Sequence, residues 1–282
     1  MRWLVTGSGG MLGTDAVAVL GDRGHEVTAL SRGALDILDE QAVSGAVEGH
    51  DVLLNCAAWT AVDDAEEHEV RAFEVNAVGP ALLARAARRH GATMVQVSTD
   101  YVFDGAASSP YAADAPLHPR SAYGRTKAAG EWAVRAELPD AHLIVRTAWL
   151  YGAHGSCFPR TIARVAAERG SVSVVEDQIG QPTWTRDVAD LVERLVVAAA
   201  PAGTFHATSS GQTSWFELAR AVCASAGLGA DVVLPTTSEK FVRPAPRPSY
   251  SVLDHASVER AGVEPIGDWR ERWAFAGADV LA

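Results

Sequence analysis

Short apolar runs alternate with segments of helical length through the first half of the sequence. The apolar runs have the length and composition of strands, and they span residues 2–6, 26–30, 51–55, 93–98 and 142–147. The helical segments between them span residues 12–24, 39–47, 66–90 and 122–136. Such alternation predicts repeated βαβ units with right-handed crossovers. We therefore expect an α/β fold with a Rossmann-type doubly wound parallel sheet that helices cover on both faces.

The third helical segment carries apolar side chains at helical spacing. They are Val70, Phe73, Ala77, Ala81 and Ala84. This periodicity predicts a helix over 66–90.

The alternation becomes less regular after about residue 150. A helix is predicted near 158–169, a strand near 172–175 and another helix near 187–199, before a proline-rich stretch at 243–248. We expect residues 1–150 to form an NAD(P)-binding domain, with later returns to it near 172–200. Residues 151–282 are expected to form mainly a smaller substrate-binding α/β lobe.

Charge and cysteine content exclude several classes of protein. Asp and Glu outnumber Lys and Arg by 35 to 24, and this net charge of −11 disfavours nucleic acid or anionic lipid as a partner. The apolar run at 195–200 is far shorter than the roughly 20 residues that cross a membrane. The three cysteines lack metal-ligand spacing, and the chain becomes glycine-rich at Gly7, too early for a signal peptide. We expect a cytoplasmic protein with reduced thiols.

A glycine-rich turn joins the first strand to the first helix. Gly7, Gly10 and Gly13 follow a GxxGxxG spacing, unlike the GxGxxG of ordinary Rossmann dehydrogenases, and Met11 and Leu12 lie between them at the helix start. Backbone N–H groups in such a turn, and the positive end of the helix, can face a pyrophosphate. The turn predicts a dinucleotide cofactor, and the alternative is a turn that serves only packing.

The end of the second strand indicates which dinucleotide binds. An NAD-specific site would have an acidic residue there to hold the ribose 2′-hydroxyl, but this chain has Ser31 and Arg32. A hydroxyl and a guanidinium suit a 2′-phosphate, so the sequence favours NADPH, with NADH left open. Asp36 and Ile37 are expected to flank the adenine. As alternatives, Arg32 stacks on the adenine or faces water, and Asp36 is an ordinary turn residue.

Three side chains predict the chemistry. Thr99 closes the fourth strand, and Tyr123 and Lys127 share one face at the start of a helix. An ammonium near a phenol lowers the phenol pKa from about 10. We therefore expect Tyr123 to be the general acid for reduction of a ketone, Lys127 to hold it poised and bind the nicotinamide ribose, and Thr99 to polarise the carbonyl. The alternative is a surface tyrosine beside a surface lysine.

Longer motifs give the chain a family resemblance. They occupy residues 7–13, 35–39, 55–63, 75–76, 98–105, 123–131, 146–151 and 177–183. The most specific are STDYVFDG at 98–105 and DQIGQPT at 177–183. By these motifs the sequence resembles the extended short-chain dehydrogenase/reductase superfamily and, within it, the dTDP-4-dehydrorhamnose reductase family, over most of its length.

The resemblance implies reduction of the C4 ketone of a dTDP-4-dehydro-6-deoxy-L-hexose to dTDP-L-rhamnose or a close analogue. It implies the same catalytic trio of Thr99, Tyr123 and Lys127, with Ala57, Ala58 and Asn76 on the cofactor side. Residues implied to line the sugar pocket are Thr60, Val62, Val102, Phe103 and Trp149. For Val102, Phe103 and Trp149, ordinary core packing is the alternative. A homodimer and a Mg²⁺ requirement stay open, because some relatives dimerise around Mg²⁺ and no ligand cluster can be assigned here.

The proline-rich stretch carries two further candidates for substrate binding. Arg243 and Arg247 lie among Pro244, Pro246 and Pro248. From a stiff loop, such guanidinium groups can make bidentate hydrogen bonds to a diphosphate. The alternative is a solvated arginine loop.

Other functions of the superfamily are weighed against particular residues. Dehydratases need an Asp-Glu pair after the threonine, whereas this chain has Asp100 and Tyr101. Epimerases share the trio, so only the longer motifs argue against them. A non-catalytic regulatory subunit with the same fold is a third alternative. One departure from the family, Asp64 where a familiar form of the motif has lysine, leaves the identity of the sugar open.

Overall fold

A parallel sheet of six strands forms the centre of the structure, a computed structural model that describes residues 1–282. The strands of the chain are β1 (Arg2–Thr6), β2 (Glu26–Leu30), β3 (Val52–Asn55), β4 (Thr93–Thr99), β5 (His142–Thr147), β6 (Leu150–Tyr151), β7 (Val172–Val175), β8 (Ile179–Gly180), β9 (Thr183–Trp184), β10 (Gly203–His206), β11 (Ser209–Ser210), β12 (Thr213–Ser214), β13 (Val233–Thr236) and β14 (Ile266–Asp268). The central sheet has the order β10-β5-β4-β3-β1-β2, with every pair parallel. This confirms the predicted Rossmann-type α/β fold.

Ten α-helices accompany the strands. They are α1 (Met11–Asp22), α2 (Glu40–Val47), α3 (Glu69–Phe73), α4 (Gly79–His90), α5 (Ala122–Glu137), α6 (Phe158–Arg169), α7 (Thr185–Val197), α8 (Trp215–Ser225), α9 (Ala256–Arg260) and α10 (Trp269–Leu281). A π turn at Glu74–Val78 joins α3 to α4, and a 3₁₀ turn at Asp100–Val102 follows β4. No helix is both long enough and apolar enough to span a bilayer.

The two faces of the sheet bury separate cores. Along β1, Trp3 and Val5 point into a core shared with α1 and α7, while Leu4 points into a second core shared with α2, α4 and α5. This alternation follows from the two-residue period of a strand. Strands covered in this way on both faces need to be apolar throughout, which explains why the apolar runs located them so closely.

The C-terminal half builds a third core and also returns to the central sheet. Helices α6, α8 and α10 pack around Trp269, Trp273 and Leu218. Helix α7 packs on α1, and β10 pairs with β5 at the edge of the central sheet. The expected return near 172–200 therefore involves α7 and then β10, whereas β7 pairs with β13 outside the central sheet. The division at residue 150 into cofactor and substrate lobes stays a prediction.

The helix predicted over 66–90 is present from Glu69 to His90, but a π turn lies inside it. The segment contains α3, the π turn and α4, and Val70 and Phe73 are 74% and 46% exposed. Pro80 has no N–H to donate to the Asn76 carbonyl four residues earlier, which favours a wider turn at this point. The carbonyl of Asn76 also lies so close to α5 that a Cβ on Gly130 would come within 2.1 Å of it. The wider turn rotates the residues before it relative to those after it. Val70 and Phe73 therefore lie on a different face of the helix from the buried Ala77 and Ala84.

Candidate active site

The glycine turn lies at the point where the direction of strand order reverses, between β1 and β3. Gly7 has φ +67°, and a Cβ there would lie 2.5 Å from the backbone N of Ala57, just after β3. A Cβ on Gly13 would lie 2.3 Å from the carbonyl oxygen of Gly7. Gly7 and Gly13 are therefore required for the backbone to pack this closely. Ligands of doubly wound sheets bind in the crevice beyond such a reversal.

The start of α1 has the donors that a phosphate requires. Gly10 is exposed and precedes α1 without a side-chain cap, and a Cβ there would touch only the Gly7 carbonyl at 3.4 Å. The first backbone hydrogen bond of the helix is from Thr14 N–H to Gly10 at 2.9 Å, so the N–H groups of Met11, Leu12 and Gly13 come before it. Uncapped N–H groups at a helix start fit the pyrophosphate of a dinucleotide. The side chain of Leu12, in contrast, packs in the core.

Of the residues that follow β2, Ser31 and Arg32 are exposed, whereas Ile37 is buried in the core. Ser31 and Arg32 are exposed next to the glycine turn, with Ser31 Cβ 3.7 Å from where a Cβ on Gly9 would lie, and Arg32 makes no ion pair. The carboxylate of Asp36 accepts a hydrogen bond from Leu38 N–H at 3.0 Å, the ordinary turn contact. Ile37 is buried in the core against Gly79. The predicted place of Ile37 beside the adenine stays a prediction.

Two glycines bring α5 close to its neighbours, one against the 3₁₀ turn after β4 and one against the π turn. A Cβ on Gly124 would lie 2.2 Å from the Tyr101 carbonyl, and one on Gly130 would lie 2.1 Å from the Asn76 carbonyl. Ser121 caps the helix by accepting a hydrogen bond from Gly124 N–H at 3.1 Å. Because the helix is held this closely at two points, Tyr123 is brought beside the Thr99 hydroxyl.

The phenol of Tyr123 is held in its protonated form. Burial raises its pKa to about 12, the Asp100 carboxylate adds to the rise, and the Thr99 hydroxyl opposes it. Lys127 is not among the groups that act on it. The expectation that the ammonium lowers this pKa is therefore wrong for the protein without ligands, because desolvation is the largest effect. A protonated phenol is the form that can give a proton to a ketone oxygen.

Lys127 is buried next to a network of fixed charges. Its side chain is 4% exposed, and Nζ donates to the Val97 carbonyl at 2.6 Å. Burial lowers its pKa to about 8, and the Glu131 carboxylate opposes this shift. Glu131 in turn accepts hydrogen bonds from Arg146 at 2.8 and 2.9 Å and from Ser98 at 2.5 Å. The rigid carboxylate keeps Lys127 more basic than burial alone would allow.

Asn76 positions the loop after β3. Its Oδ1 accepts from Trp59 N–H at 2.8 Å, and its Nδ2 donates to the Trp59 carbonyl and the Thr126 hydroxyl, both at 3.1 Å. These bonds occupy both donor hydrogens of the amide. The amide therefore supports the loop that carries Ala57, Ala58 and Thr60, and a direct contact with the cofactor stays a prediction.

A cavity of about 250 Å³ opens on the far side of the Tyr101 ring, and Thr99, Tyr123 and Lys127 are not part of its lining. Its lining includes Tyr101, Arg120 and Arg247, and the ring of Tyr101 meets that of Tyr123 edge to face at 5.6 Å. The side chains of Val102 and Phe103 are buried with Ala128 and Leu253 in a small core. Val102 is fully buried, whereas Phe103 also lines the cavity, so their contact with the sugar stays a prediction. Thr60 is exposed and Val62 is half-buried.

The two arginines of the proline-rich stretch have different environments. Arg247 lines the cavity and forms an ion pair with Asp63 at 2.8 Å, while Asp63 also accepts from Ala245 N–H at 3.2 Å. Arg243 is exposed outside this lining and stacks on Phe241, with its guanidinium carbon 4.6 Å from the ring centre. The structure therefore places Arg247, and not Arg243, at the cavity.

Trp149 lies beyond the end of β5 in a strained backbone conformation. Its φ of +46° is rare for a residue with a side chain. The indole stacks on Trp215 at 3.6 Å, and a Cβ on Gly180 would come within 2.5 Å of it. Gly180 belongs to the motif at 177–183, so one role of that motif is to make room for this ring. Over-determined strain of this kind is common at functional sites.

Asp64, which stands where the familiar motif has lysine, is exposed and does not line the cavity. Its carboxylate pairs with the His68 side chain at 3.2 Å on the exposed 3₁₀ turn Asp64–Glu66. No group of three or more His, Cys, Asp or Glu side chains is arranged to hold a metal ion.

Comparison with protein families decides the membership of the chain. A model described as the RmlD substrate binding domain matches residues 1–279. The chain belongs to this family. A dTDP-4-dehydrorhamnose reductase of Streptomyces griseus is 52% identical over 95% of this chain and 90% of that protein. A probable dTDP-4,6-dihydroxy-2-methyloxan-3-one 4-ketoreductase of Streptomyces antibioticus is 47% identical and covers 100% of this chain and 96% of its own length.

A solved structure supports the same RmlD-family membership. The dTDP-4-dehydrorhamnose reductase of Bacillus anthracis in complex with NADP is 34% identical, with a TM-score of 0.94 and 99% of each chain covered. The solved structure of that protein contains bound NADP.

Sequence reasoning missed several residues of this RmlD-family site. Tyr101 lines the cavity although it was noted only as a departure from dehydratases, and Asp63 holds Arg247. Glu131 was part of a motif but had no assigned role. Trp215, which belongs to none of the motifs, is the stacking partner of Trp149. Tyr101 and Asp63 lie inside the motifs at 98–105 and 55–63, which was the available signal, but Arg247, the partner of Asp63, lies far away along the chain.

Proposed function

We propose that this chain is an NADPH-dependent reductase of the C4 ketone of a dTDP-4-keto-6-deoxy-L-hexose, with dTDP-L-rhamnose or a close analogue as product. The observation that carries the proposal is the position of the Tyr123 phenol beside the Thr99 hydroxyl and against the ring of Tyr101, which lines the cavity. The relatives that cover nearly the whole chain and are named as 4-keto-sugar reductases support the same reaction.

The dinucleotide site would use the crevice between β1 and β3. The N–H groups at the start of α1 would hold the pyrophosphate, and Ser31 and Arg32 would hold the 2′-phosphate. When bound, the reduced nicotinamide supplies a hydride to C4 of the sugar. The relative solved with NADP supports this choice of cofactor. In this proposal residues 1–150 bind the dinucleotide, and residues 151–282 contribute mainly to sugar-nucleotide binding.

Proton transfer in the proposed reaction is the work of Tyr123. Its O–H bond breaks as the ketone oxygen becomes a hydroxyl, so the phenol becomes a phenolate. A phenol with pKa about 12 is fully protonated at neutral pH, and it is still a much stronger acid than the alcohol that forms. Lys127 on the same helix face would stabilise the phenolate, and Thr99 would donate a hydrogen bond to the ketone oxygen. Arg247 would contact the diphosphate, and Trp149 would pack near the sugar.

A different dTDP-4-keto sugar is the alternative substrate for the same reaction. The relative from Streptomyces antibioticus is named for a different 4-keto sugar, although it is 47% identical. Reductases of antibiotic deoxysugar synthesis are therefore the alternative to a rhamnose-forming enzyme.

The purified protein should be assayed with NADPH carrying deuterium at the transferable position. The substrates are dTDP-4-keto-6-deoxy-L-hexose and its D-configured precursor, and the products are analysed by NMR and mass spectrometry. We expect one NADPH consumed per sugar and one deuterium at C4 of the L-configured product. Reduction of only the other keto sugar would favour the alternative substrate. NADPH binding with no reduction of any keto sugar would refute the reductase and favour a regulatory subunit.

A further inference from the structure

Asp100 is a buried carboxyl group that the proposed mechanism does not use. It follows Thr99 at the end of β4 and is 2% exposed. Its Oδ1 accepts a hydrogen bond from the Thr99 hydroxyl at 2.9 Å. Its Oδ2 is buried and has no hydrogen-bond partner. The Ser251 hydroxyl is near enough to act on this carboxyl group, but a buried carboxylate with so few donors is costly in its charged form.

The Thr99 hydroxyl has only one hydrogen to donate. In the structure that hydrogen goes to Asp100, while Thr99 Oγ1 accepts from Tyr101 N–H at 3.3 Å. A threonine that donates to a carboxylate can accept from other groups, but it cannot donate to a ketone. Polarisation of the substrate by Thr99 therefore requires the hydrogen bond to Asp100 to reverse. A protonated Asp100 can donate to Thr99 Oγ1 and release the threonine hydrogen.

We propose that Asp100 is a positioning residue whose protonation sets the direction of the Thr99 hydroxyl, so that Thr99 donates to the substrate ketone only when Asp100 is a neutral carboxylic acid. The proposal rests on the reductase function proposed above. No bond to carbon changes in this step: the carboxyl proton stays on Asp100, and only the two hydrogen bonds change direction. The group that it serves is the ketone oxygen, which also receives the proton of Tyr123.

The surroundings of Asp100 make the neutral acid accessible. Burial raises its pKa to about 6, and the nearby hydroxyls of Ser251 and Thr99 and the backbone of the turn oppose the rise. The titratable groups that face it are the phenols of Tyr101, from its own turn, and Tyr123, from α5. No cation is among the groups that act on it. The neutral acid is the competent form, so activity is present below this pKa and is lost as the pH rises through it.

The test is the pH dependence of kcat at saturating NADPH and keto sugar, for the wild type and Asp100→Asn. An asparagine amide can donate to Thr99 at every pH, so the variant is expected to keep its activity above the pKa of Asp100. The alkaline fall in kcat should lie near pH 6 in the wild type and near pH 8, where Lys127 titrates, in the variant. At about pH 7.5 the variant should exceed the wild type by about tenfold or more, because each pH unit above a pKa costs about tenfold in the competent form. Asp140→Asn, on an exposed turn, is the control and should keep the wild-type profile.

A second pair of variants tests the same idea without altering Asp100. Thr99→Ser keeps the hydroxyl and should keep the fall near pH 6, whereas Thr99→Val should lower kcat and lose that fall. A wild-type profile that is flat from about pH 6 to 7.5, or a fall near pH 6 that persists in Asp100→Asn and Thr99→Val, would overturn the proposal while the reductase function stands. A wild type that reduces no keto sugar at any pH would overturn both.

Discussion

At the residue scale, Arg32 is the side chain on which the choice between NADPH and NADH depends. It is exposed next to the glycine turn and has no ion pair in the protein, so its guanidinium is free to meet a phosphate. We expect Arg32→Ala to weaken NADPH binding by about tenfold or more, since a charged hydrogen bond contributes about 1.5–3 kcal/mol. NADH binding should change by less than about twofold, because NADH has no 2′-phosphate.

Isothermal titration calorimetry with both dinucleotides measures this difference. Arg164→Ala, on the exposed face of α6 where Arg164 pairs with Glu168, is a matched control. Equal losses of NADPH and NADH affinity in Arg32→Ala would remove the argument from the 2′-phosphate.

Single residues also show how far the sequence could predict the site. Thr99, Tyr123 and the glycine turn were found because each chemical role requires a certain residue at a fixed spacing along the chain. Asp63 could not be paired with Arg247, because 184 residues separate them and only the fold brings them together. The left-handed backbone conformation at Trp149 could not be predicted either, because no local sequence pattern requires it.

At the element scale, the packing of α5 against the π turn depends on Gly130. A Cβ at this position would lie 2.1 Å from the Asn76 carbonyl, and the contact is with backbone that cannot rotate away. We expect Gly130→Ala to lower the free energy of unfolding by about 1–3 kcal/mol through overpacking. Because α5 carries Tyr123 and Lys127, kcat should also fall.

Gly45→Ala is the matched control for this prediction. Gly45 lies in α2 with no atom near where its Cβ would be, so alanine should be neutral or stabilise the helix by about 0.5–1 kcal/mol. Urea denaturation of both variants gives the comparison. The packing argument fails if Gly130→Ala is as stable as Gly45→Ala.

The secondary structure was predictable where one physical effect dominated. The buried strands β1 and β5 agree with the predicted bounds because both faces of the sheet require apolar residues. The π turn inside the segment at 66–90 was not predictable, because it depends on tertiary contacts of Asn76 and Gly130 as well as on Pro80. Helical periodicity assumes an even turn and cannot show where a wider one interrupts it.

At the scale of the whole molecule, His206 links folding stability to pH. It is completely buried on β10, its Nδ1 is hydrogen-bonded at 2.8 Å to the Asp254 carbonyl, and burial lowers its pKa to about 3. Above a pH of about 6.5 the histidine is neutral in both the folded and unfolded states. Below that pH only the unfolded chain takes up the proton, so stability is lost as the pH falls toward about 3.

His206→Gln should reduce the slope of unfolding free energy between about pH 6 and 4 by up to about 1.4 kcal/mol per pH unit. Denaturant titrations at several pH values measure the slope, and His118→Gln, on an exposed loop, is the control. An unchanged slope in His206→Gln would assign the acid dependence to other groups.

The reaction that the whole molecule is proposed to perform depends on the proton of Tyr123. The most direct test is a comparison of Tyr123→Phe with the wild type for turnover of the keto sugar and for NADPH binding. Only the hydroxyl is removed, so we predict a fall in kcat of about 10²–10⁴ with a dissociation constant for NADPH within about twofold of the wild type. Full turnover in Tyr123→Phe would contradict the account.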